Sequence, residues 1–522
     1  MFPTLDILND LKLVAPEVIL VVAMCAAILV PFINRRNVTL PTMVAIIGLG
    51  AALIAAIFTT GQQSSSLVFS DMLAIDSFSQ FFKIILMLFT LLVVMQWVLT
   101  SRDQTHAYDV PDFLCLLLGA TVGMSLMASA NNLLMILVAT EAASLPSFVL
   151  AGFRKRTAAG SESSLKYVVF GAAASSVSIY GMSLVYGAVG SLDLAAVAEA
   201  GRDMSPMLAV GLMAMLAGFA FKLSAVPLHF WCPDVFEAAP TEVTTFLSVA
   251  SKGAAICMLT RLLVNFGVTD GSFPALVTGV GILGAVTATW GNLAALQQSN
   301  IKRMLAYSSI AHAGYMIMGV SAAAMGGLND EAIRVVAGAV LFYILVYTFM
   351  NLGAFTVAAV IARRTGSENL EDYAGLSSRS PGLAALLVVF MLSLFGMPGL
   401  GGFLGKIMIG AAMWQAGSGG VALIAVLVLN TLISFYYYVR PVYFMYLRPD
   451  TQGRPAVTIG PAITAMLVLC AVALVATGIS RPDMTHVTKE YGRLVRSATF
   501  RDATTSTAAT TVEAGERLVE LP

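Results

Sequence analysis

The apolar residues of this chain come in long runs, with polar residues gathered in short stretches between them rather than interleaved at the spacing of a half-buried helix. A helix needs about 20 apolar residues to cross a bilayer. Fourteen segments meet that requirement, with approximate limits 15–33, 41–60, 78–99, 111–129, 132–152, 164–187, 206–228, 241–266, 272–293, 303–324, 332–362, 382–414, 420–447 and 458–478. The pattern predicts an all-α polytopic membrane protein. Segment 382–414 contains LSLFGMPGLGGFLGKIM, too rich in glycine and proline for one straight helix, and reads as two half-helices around a break. The N-terminal MFPTLDILNDLKLVAPEVILVV lacks a basic stretch and a cleavage site before its apolar run, so it reads as the first span and not as a signal peptide. After residue 480 the chain turns polar (TTSTAATTVEAGE) and reads as a tail.

Composition agrees with this pattern. Of 522 residues, 58% are hydrophobic and 11% charged, where a soluble protein carries about 25% charged residues. That deficit excludes an ordinary water-soluble enzyme. Lysine and arginine total 29 and aspartate and glutamate total 29, so the net charge is zero and a nucleic-acid binder finds no support. A mean hydropathy of +0.85 favours one membrane bundle over several soluble domains. Cys25, Cys115, Cys232, Cys257 and Cys470 are scattered without metal-ligand spacing and read as packing residues.

Positive charges in short loops mark the cytoplasmic side of a membrane protein. Arg35 and Arg36 follow span 1, Arg102 span 3, and Arg154, Lys155 and Arg156 span 5. Lys302 and Arg303 open span 10, and Arg363 and Arg364 follow span 11. The alternate loops hold little beyond Arg202 and Arg334, which places both termini on the non-cytoplasmic side. Lys489, Arg493 and Arg496 in the tail pull the other way, but long tails count for less in this rule.

The remaining charges lie inside spans. Of nine lysines, Lys83, Lys166, Lys222, Lys252 and Lys406 fall there, with Glu141 in span 5 and His312 in span 10. A charge near the bilayer centre costs at least about 2.5–3.5 kcal/mol, so such residues mark function by default. Lys83 and Lys166 lie in the first turns of their helices, where a lysine can also snorkel to the interface. A group withdrawn from water loses its preference for the charged form, and an opposite charge beside it restores that preference. A buried Glu–Lys pair is therefore switchable, and a series of such groups can relay protons without a metal or redox centre. Pro227, close behind Lys222, deprives the carbonyl of Leu223 of its helical partner, and Gly399, Gly401, Gly402 and Gly405 permit unwinding around Lys406. His312 stands among hydroxyls in YSSIAHAGY, as a hydrogen-bonded core residue or as a relay site. His229 with Cys232 has no second pair to complete a metal site, and Gly405-Lys406 lacks the rest of a phosphate-binding loop.

Spans 7 (GFAFKLSAVPLHFW) and 12 (GMPGLGGFLGKIMI) each combine a lysine with helix breakers. Spans 4–8 and 9–13 then read as two copies of a five-helix unit, inverted because five is odd. The chain divides into three N-terminal helices (1–104), a first repeat (105–266), a second repeat (267–447), a last helix (448–480) and the tail (481–522).

The runs NLLMILVATEAASLPSFVLAGF, SESSLKYVVFGAAASS, FKLSAVPLHFWCPDVFEAAPTEVTTFLSVASKGAA and SNIKRMLAYSSIAHAGYMIMG resemble the antiporter-like membrane subunits of respiratory complex I over about residues 10–480. SSIAHAGY and the lysine of GGFLGK are most similar to the subunit N branch of bacterial NADH:quinone oxidoreductase. The resemblance implies fourteen helices with two inverted repeats and a proton-pumping module of the bacterial inner membrane. Other membrane-arm subunits would be its neighbours. NADH, FMN, iron–sulfur clusters and quinone would be handled by other subunits, with no cofactor in this chain. It assigns a proton relay to Glu141, Lys166, Lys222, Lys252, His312 and Lys406. A Na⁺/H⁺ antiporter subunit of the same superfamily, or the pump module of a hydrogenase-type complex, would use the same lysines. The polar tail after 480 departs from the family's shorter pattern.

Overall fold

A computed structural model describes residues 7–33, 38–61, 66–154, 157–268, 273–325, 330–451 and 453–479. Arg35, Arg36, Lys155, Arg156 and the tail with Lys489, Arg493 and Arg496 lie outside the described residues. The chain begins with a short helix α1 (Ile7–Leu13) and the apolar helices α2 (Ala15–Ile33) and α3 (Thr39–Gly61). There follow α4 (Ser77–Thr100), α5 (Val110–Ser129), α6 (Leu133–Ala151), α7 (Ala158–Val189), α8 (Leu194–Ala200) and α9 (Pro206–Leu223). Next come α10 (Trp231–Ala238), α11 (Thr241–Phe246), α12 (Lys252–Val268), α13 (Pro274–Ala295), α14 (Ile301–Met325) and α15 (Asp330–Thr365). The chain closes with α16 (Leu376–Arg379), α17 (Pro381–Phe395), α18 (Gly401–Trp414), α19 (Gly417–Leu447) and α20 (Pro461–Ile479).

Eleven helices among the described residues are long and apolar enough to cross a membrane, and two shorter apolar ones cover Ala15–Val30 and Pro381–Phe395. The all-α expectation needs one amendment. Strands β1 (Ser66–Val68) and β2 (Leu73–Ile75) form an antiparallel hairpin between α3 and α4. Three-residue strands are too short to announce themselves by alternation.

Burial locates the axis of the bundle. The apolar stretch Thr241–Phe266 is 100% buried and that of α15 83%, against 28% for α19 and 22% for α20. Helices α11, α12 and α15 therefore run through the middle, and α19 and α20 present most of their surface outwards. Membrane helices gain little from apolar burial against one another, so close approach through small residues matters. A Cβ on Gly314 of α14 would lie 2.5 Å from the backbone nitrogen of Ala288 in α13, and one on Gly181 of α7 would lie 2.4 Å from that of Met215 in α9. Glycine at these positions lets the backbones touch.

The N-terminal helices are fastened by ions. Lys83 of α4 does not snorkel: its Nζ is 2.7 Å from Glu17 Oε1 of α2 with the lysine side chain fully buried, and Ser125 of α5 donates to the same oxygen at 2.7 Å. Asp76, which caps α4 by accepting from Ser79 N at 2.7 Å, pairs with Arg261 of α12 at 2.8 Å. Arg261 also donates to the carbonyl of Ala128 at 3.0 Å.

Removing one member of a buried pair strands the other charge, at about 3–5 kcal/mol, whereas replacing both with apolar or neutral groups is often close to neutral. Glu17→Gln and Lys83→Met are each expected to lower the thermal stability of the purified protein, and the double variant to recover most of the loss. Additive losses in the double-mutant cycle would contradict the pairing.

Candidate functional site

The site is built on three interruptions of helices. The first follows Lys222. Helix α9 ends where Ser224 adopts a left-handed conformation (φ 55°), with Ser224 N bonded to Phe221 O at 3.0 Å and Ala225 N to Ala220 O at 2.7 Å. This termination precedes Pro227, so proline follows the break rather than making it. Side chains complete the loosened backbone: Trp231 Nε1 donates to Phe221 O at 3.1 Å, and Val226 N donates to Thr287 Oγ1 of α13 at 3.0 Å.

The second interruption separates α17 from α18. Gly396 and Gly399 have φ of +92° and +90°, a region that an L side chain resists. Lys406 of α18 donates to the carbonyl of Phe395, the last residue of α17, at 2.6 Å. An ammonium suits that position, because the end of a helix carries unsatisfied carbonyls and partial negative charge.

The third was not anticipated. Span 8 is interrupted by a π-helical turn, Leu247–Ser251, directly before Lys252. The segment contains no proline or glycine, so nothing in its composition signalled a break. Such turns free backbone groups within an otherwise regular helix.

Between the second and third interruptions runs a line of buried polar groups. Lys252 Nζ donates to Ser309 Oγ at 2.6 Å, 3.7 Å from Cys232 Sγ and 5.5 Å from the centre of the Phe236 ring. The adjacent hydroxyl of Ser308 is hydrogen-bonded to Tyr438 OH. Tyr438 OH meets His312 Nε2 at 3.0 Å, and His312 Nδ1 meets Tyr343 OH at 2.6 Å. Both ring nitrogens thus face phenols, which donate or accept, so either tautomer is accommodated. Tyr343 lies against Gly405, where a Cβ would come within 3.0 Å of its ring. Lys406 is next along the chain, its Nζ 5.3 Å from the centre of the Tyr315 ring.

Glu141 and Lys222 occupy a separate chamber. Both line a cavity of about 20 Å³ together with Ser144, Ser175 and Ser178, enough for one water. The expected pair is not in direct contact. Ser175 donates to Glu141 Oε1 at 2.6 Å, and Lys222 Nζ is buried with no hydrogen-bond partner among the described residues. Lys166 stands apart from these groups. Its side chain is 38% exposed and bridges Glu162 at 2.7 Å and Asp234 at 2.8 Å. Asp234 also binds Arg303 at 2.8 Å, and Arg303 binds Glu237 at 2.7 Å.

Sequence reasoning misses Tyr343, Tyr438 and Glu242, and reads Cys232 as a packing residue. The aromatic residues look like core, although polar-tipped groups in apolar helices are signals when a facing helix carries histidine. Glu242 and Lys302 were hidden by their nearness to a loop, yet both are 1% exposed.

Comparison with known proteins fits this architecture. Residues 130–434 match the family described as NADH:quinone oxidoreductase/Mrp antiporter, transmembrane. The chain belongs to that family. A NADH-quinone oxidoreductase subunit N of Trichlorobacter lovleyi is 38% identical over 483 residues, 90% of this chain and 94% of that protein. A chain of the respiratory complex I of Thermus thermophilus, solved with bound aureothin, is 32% identical with a TM-score of 0.72, covering 89% of this chain and 97% of that one. A chain of the Mrp complex from Dietzia sp. superposes with a TM-score of 0.79 at 21% identity over 94% of this chain and 99% of that one, a likeness of fold. The matched NADH:quinone oxidoreductase/Mrp region includes all three interruptions and every residue of the polar line except Tyr438.

Tyr438→Phe removes the hydroxyl shared by Ser308 and His312 while keeping the ring. A lost buried hydrogen bond of about 1–3 kcal/mol corresponds to a fall of roughly fivefold to a hundredfold in the rate of proton passage through that point. Proton-translocation rates of the assembled complex in sealed vesicles should fall accordingly, and an unchanged rate would remove Tyr438 from the line.

Proposed function

We propose that the chain is a proton-translocating subunit of the membrane arm of NADH:quinone oxidoreductase in the bacterial inner membrane. The single observation that carries this reading is the buried polar line from Lys252 through Ser309, Ser308, Tyr438 and His312 to Tyr343, set between two helix interruptions. The curated relatives at 37–40% identity are named as subunits of NADH- or NAD(P)H-quinone oxidoreductase. This favours the redox-linked complex over a free-standing exchanger, which shares the family but superposes at only 21% identity.

Protons are taken up from the arginine-bearing end towards Lys252 or Lys222, cross the bundle past His312, and leave through Lys406 on the opposite side. The arginine-bearing end is cytoplasmic and both termini are on the other side. Spans 4–8 and 9–13, each with its fourth helix broken, are inverted copies within fourteen spans. Neutral partners suit the lysines to proton transfer, because a hydroxyl or carbonyl accepts a hydrogen bond from an ammonium without fixing its charge, as a carboxylate would. Glu141 sets the occupancy of Lys222. When water in the shared chamber or a side-chain movement brings the carboxylate closer, Lys222 holds its proton; when the carboxylate withdraws, the proton passes on. Charge changes in a neighbouring subunit, driven by quinone reduction elsewhere, supply the trigger. NADH, FMN, iron–sulfur clusters and quinone are handled by the other subunits.

Proton translocation by the reconstituted complex is expected to collapse in Lys222→Ala and in Glu141→Gln. Full pumping stoichiometry in both variants would remove the assignment of this pair.

A further inference from the structure

A cavity of about 610 Å³ opens beside the loops that follow α4 and α6, lined by Ser101, Asp103, His106, Asp109, Arg154 and Glu242 among others. Glu242, on α11, is 1% exposed. Its Oε1 accepts from Thr100 Oγ1 at 3.0 Å and from Ser101 Oγ. Other charges gather around it. Lys302, equally buried, is held by Glu368 and the Ala239 carbonyl, both at 2.9 Å. Arg154 lines the same cavity, and Arg363 of α15 donates to Thr100 O at 2.7 Å and to Asp103 at 3.4 Å.

From Glu242 the chain runs inward along α11 and the π turn to Lys252. Thr245, Ser248 and Ser251 follow at three-residue intervals, all buried; Thr245 Oγ1 donates to Thr241 O at 2.8 Å and Ser248 Oγ to Thr245 O at 2.7 Å, so the hydroxyls step inward around the helix one backbone carbonyl at a time. Ser309 Oγ stands between these hydroxyls and the polar line, donating to the backbone carbonyl of Ser248 at 3.5 Å and accepting from Lys252 Nζ at 2.6 Å. At 1.5 Å per residue, Glu242 and Lys252 are separated by about 15 Å along the helix. That is too far for direct transfer and within reach of a short series of hydroxyls and water.

We propose that Glu242 is the proton-loading residue of the relay, receiving protons from this vestibule and passing them along the Thr245–Ser248–Ser309 track to Lys252. The inference rests on the proton-translocating function proposed above. In each cycle an O–H bond forms on the Glu242 carboxylate as hydronium in the vestibule becomes water. That O–H bond then breaks as an N–H bond forms on the neutral amine of Lys252. One proton moves and no electrons are exchanged. A purely structural Glu242 would serve only to tie α11 to the end of α4 through Thr100 and Ser101. Glutamine retains an acceptor oxygen for that purpose but cannot carry the proton.

The test measures protons translocated per NADH oxidised by the whole complex in sealed vesicles, as a function of pH on the vestibule side, for Glu242→Gln, Glu242→Asp, Thr245→Val and Lys252→Met. Loading through Glu242 predicts a loss in Glu242→Gln that deepens as the pH rises, recovery of the wild-type profile in Glu242→Asp, and a milder loss of the same shape in Thr245→Val. Thr245→Val leaves the Thr100 and Ser101 contacts untouched, so it decides the matter if Glu242→Gln does not assemble. A wild-type pH profile in Glu242→Gln, or in Thr245→Val where Glu242→Gln is lost, overturns the loading role if Lys252→Met abolishes translocation. Full translocation in Lys252→Met overturns the underlying proton-relay reading, and the loading role with it.

Discussion

An ammonium group inside an apolar bundle must find oxygen atoms, and in a bilayer the backbone offers free ones only where a helix is interrupted. Lys406 meets this constraint on the terminal carbonyl of the half-helix before its own, whereas Lys252, directly after the π turn, finds its oxygen on the Ser309 side chain of α14. Lys222 sits two residues before a left-handed helix stop. The breaks and the lysines therefore belong together. Each of the three lysines stands within a few residues of a break, and Lys406 is bonded to the backbone that its break exposes.

The buried cations divide into two kinds on this basis. Lys83, Arg261 and Lys302 each have a carboxylate within 3 Å. Such pairs hold helices in register, and their charge is fixed by their partner. Among the described residues, Lys222, Lys252 and Lys406 have no carboxylate at ion-pair distance, and the contacts of the last two are hydroxyl, thiol, carbonyl and ring faces. A proton on these lysines is held by weaker attractions and can be given up. The ionic fastening of the N-terminal helices and the rim network around Asp234 thus form a rigid frame, and the groups with neutral partners form the part that can change state.

The pattern of apolar runs made the membrane bundle legible, and charges within those runs exposed Glu141, Lys222, Lys252 and Lys406 because so few charges occur there. Lys166 satisfied the same criterion yet joins a half-exposed ion network, since its partners Glu162 and Asp234 lie one turn away on its own helix and on a distant segment. Sequence spacing exposes the first partner and hides the second. Glu17 and Asp76 stand near helix starts and gave no hint that they neutralise Lys83 and Arg261 across the bundle. The π turn before Lys252 has no proline or glycine to betray it. Tyr343 and Tyr438 were indistinguishable from core aromatics until the fold placed both hydroxyls on His312.

If the lysines with neutral partners carry protons, and do not merely hold helices together, removing one must uncouple translocation from assembly. The decisive quantity is the number of protons translocated per NADH oxidised, measured on the assembled complex carrying Lys406→Ala in sealed vesicles. A complex that assembles with a lowered ratio is expected, because α18 loses the donor to the last carbonyl of α17 while the frame is intact. An assembled Lys406→Ala complex with an unchanged ratio would contradict the proton-carrying role and leave the buried lysine as a packing device.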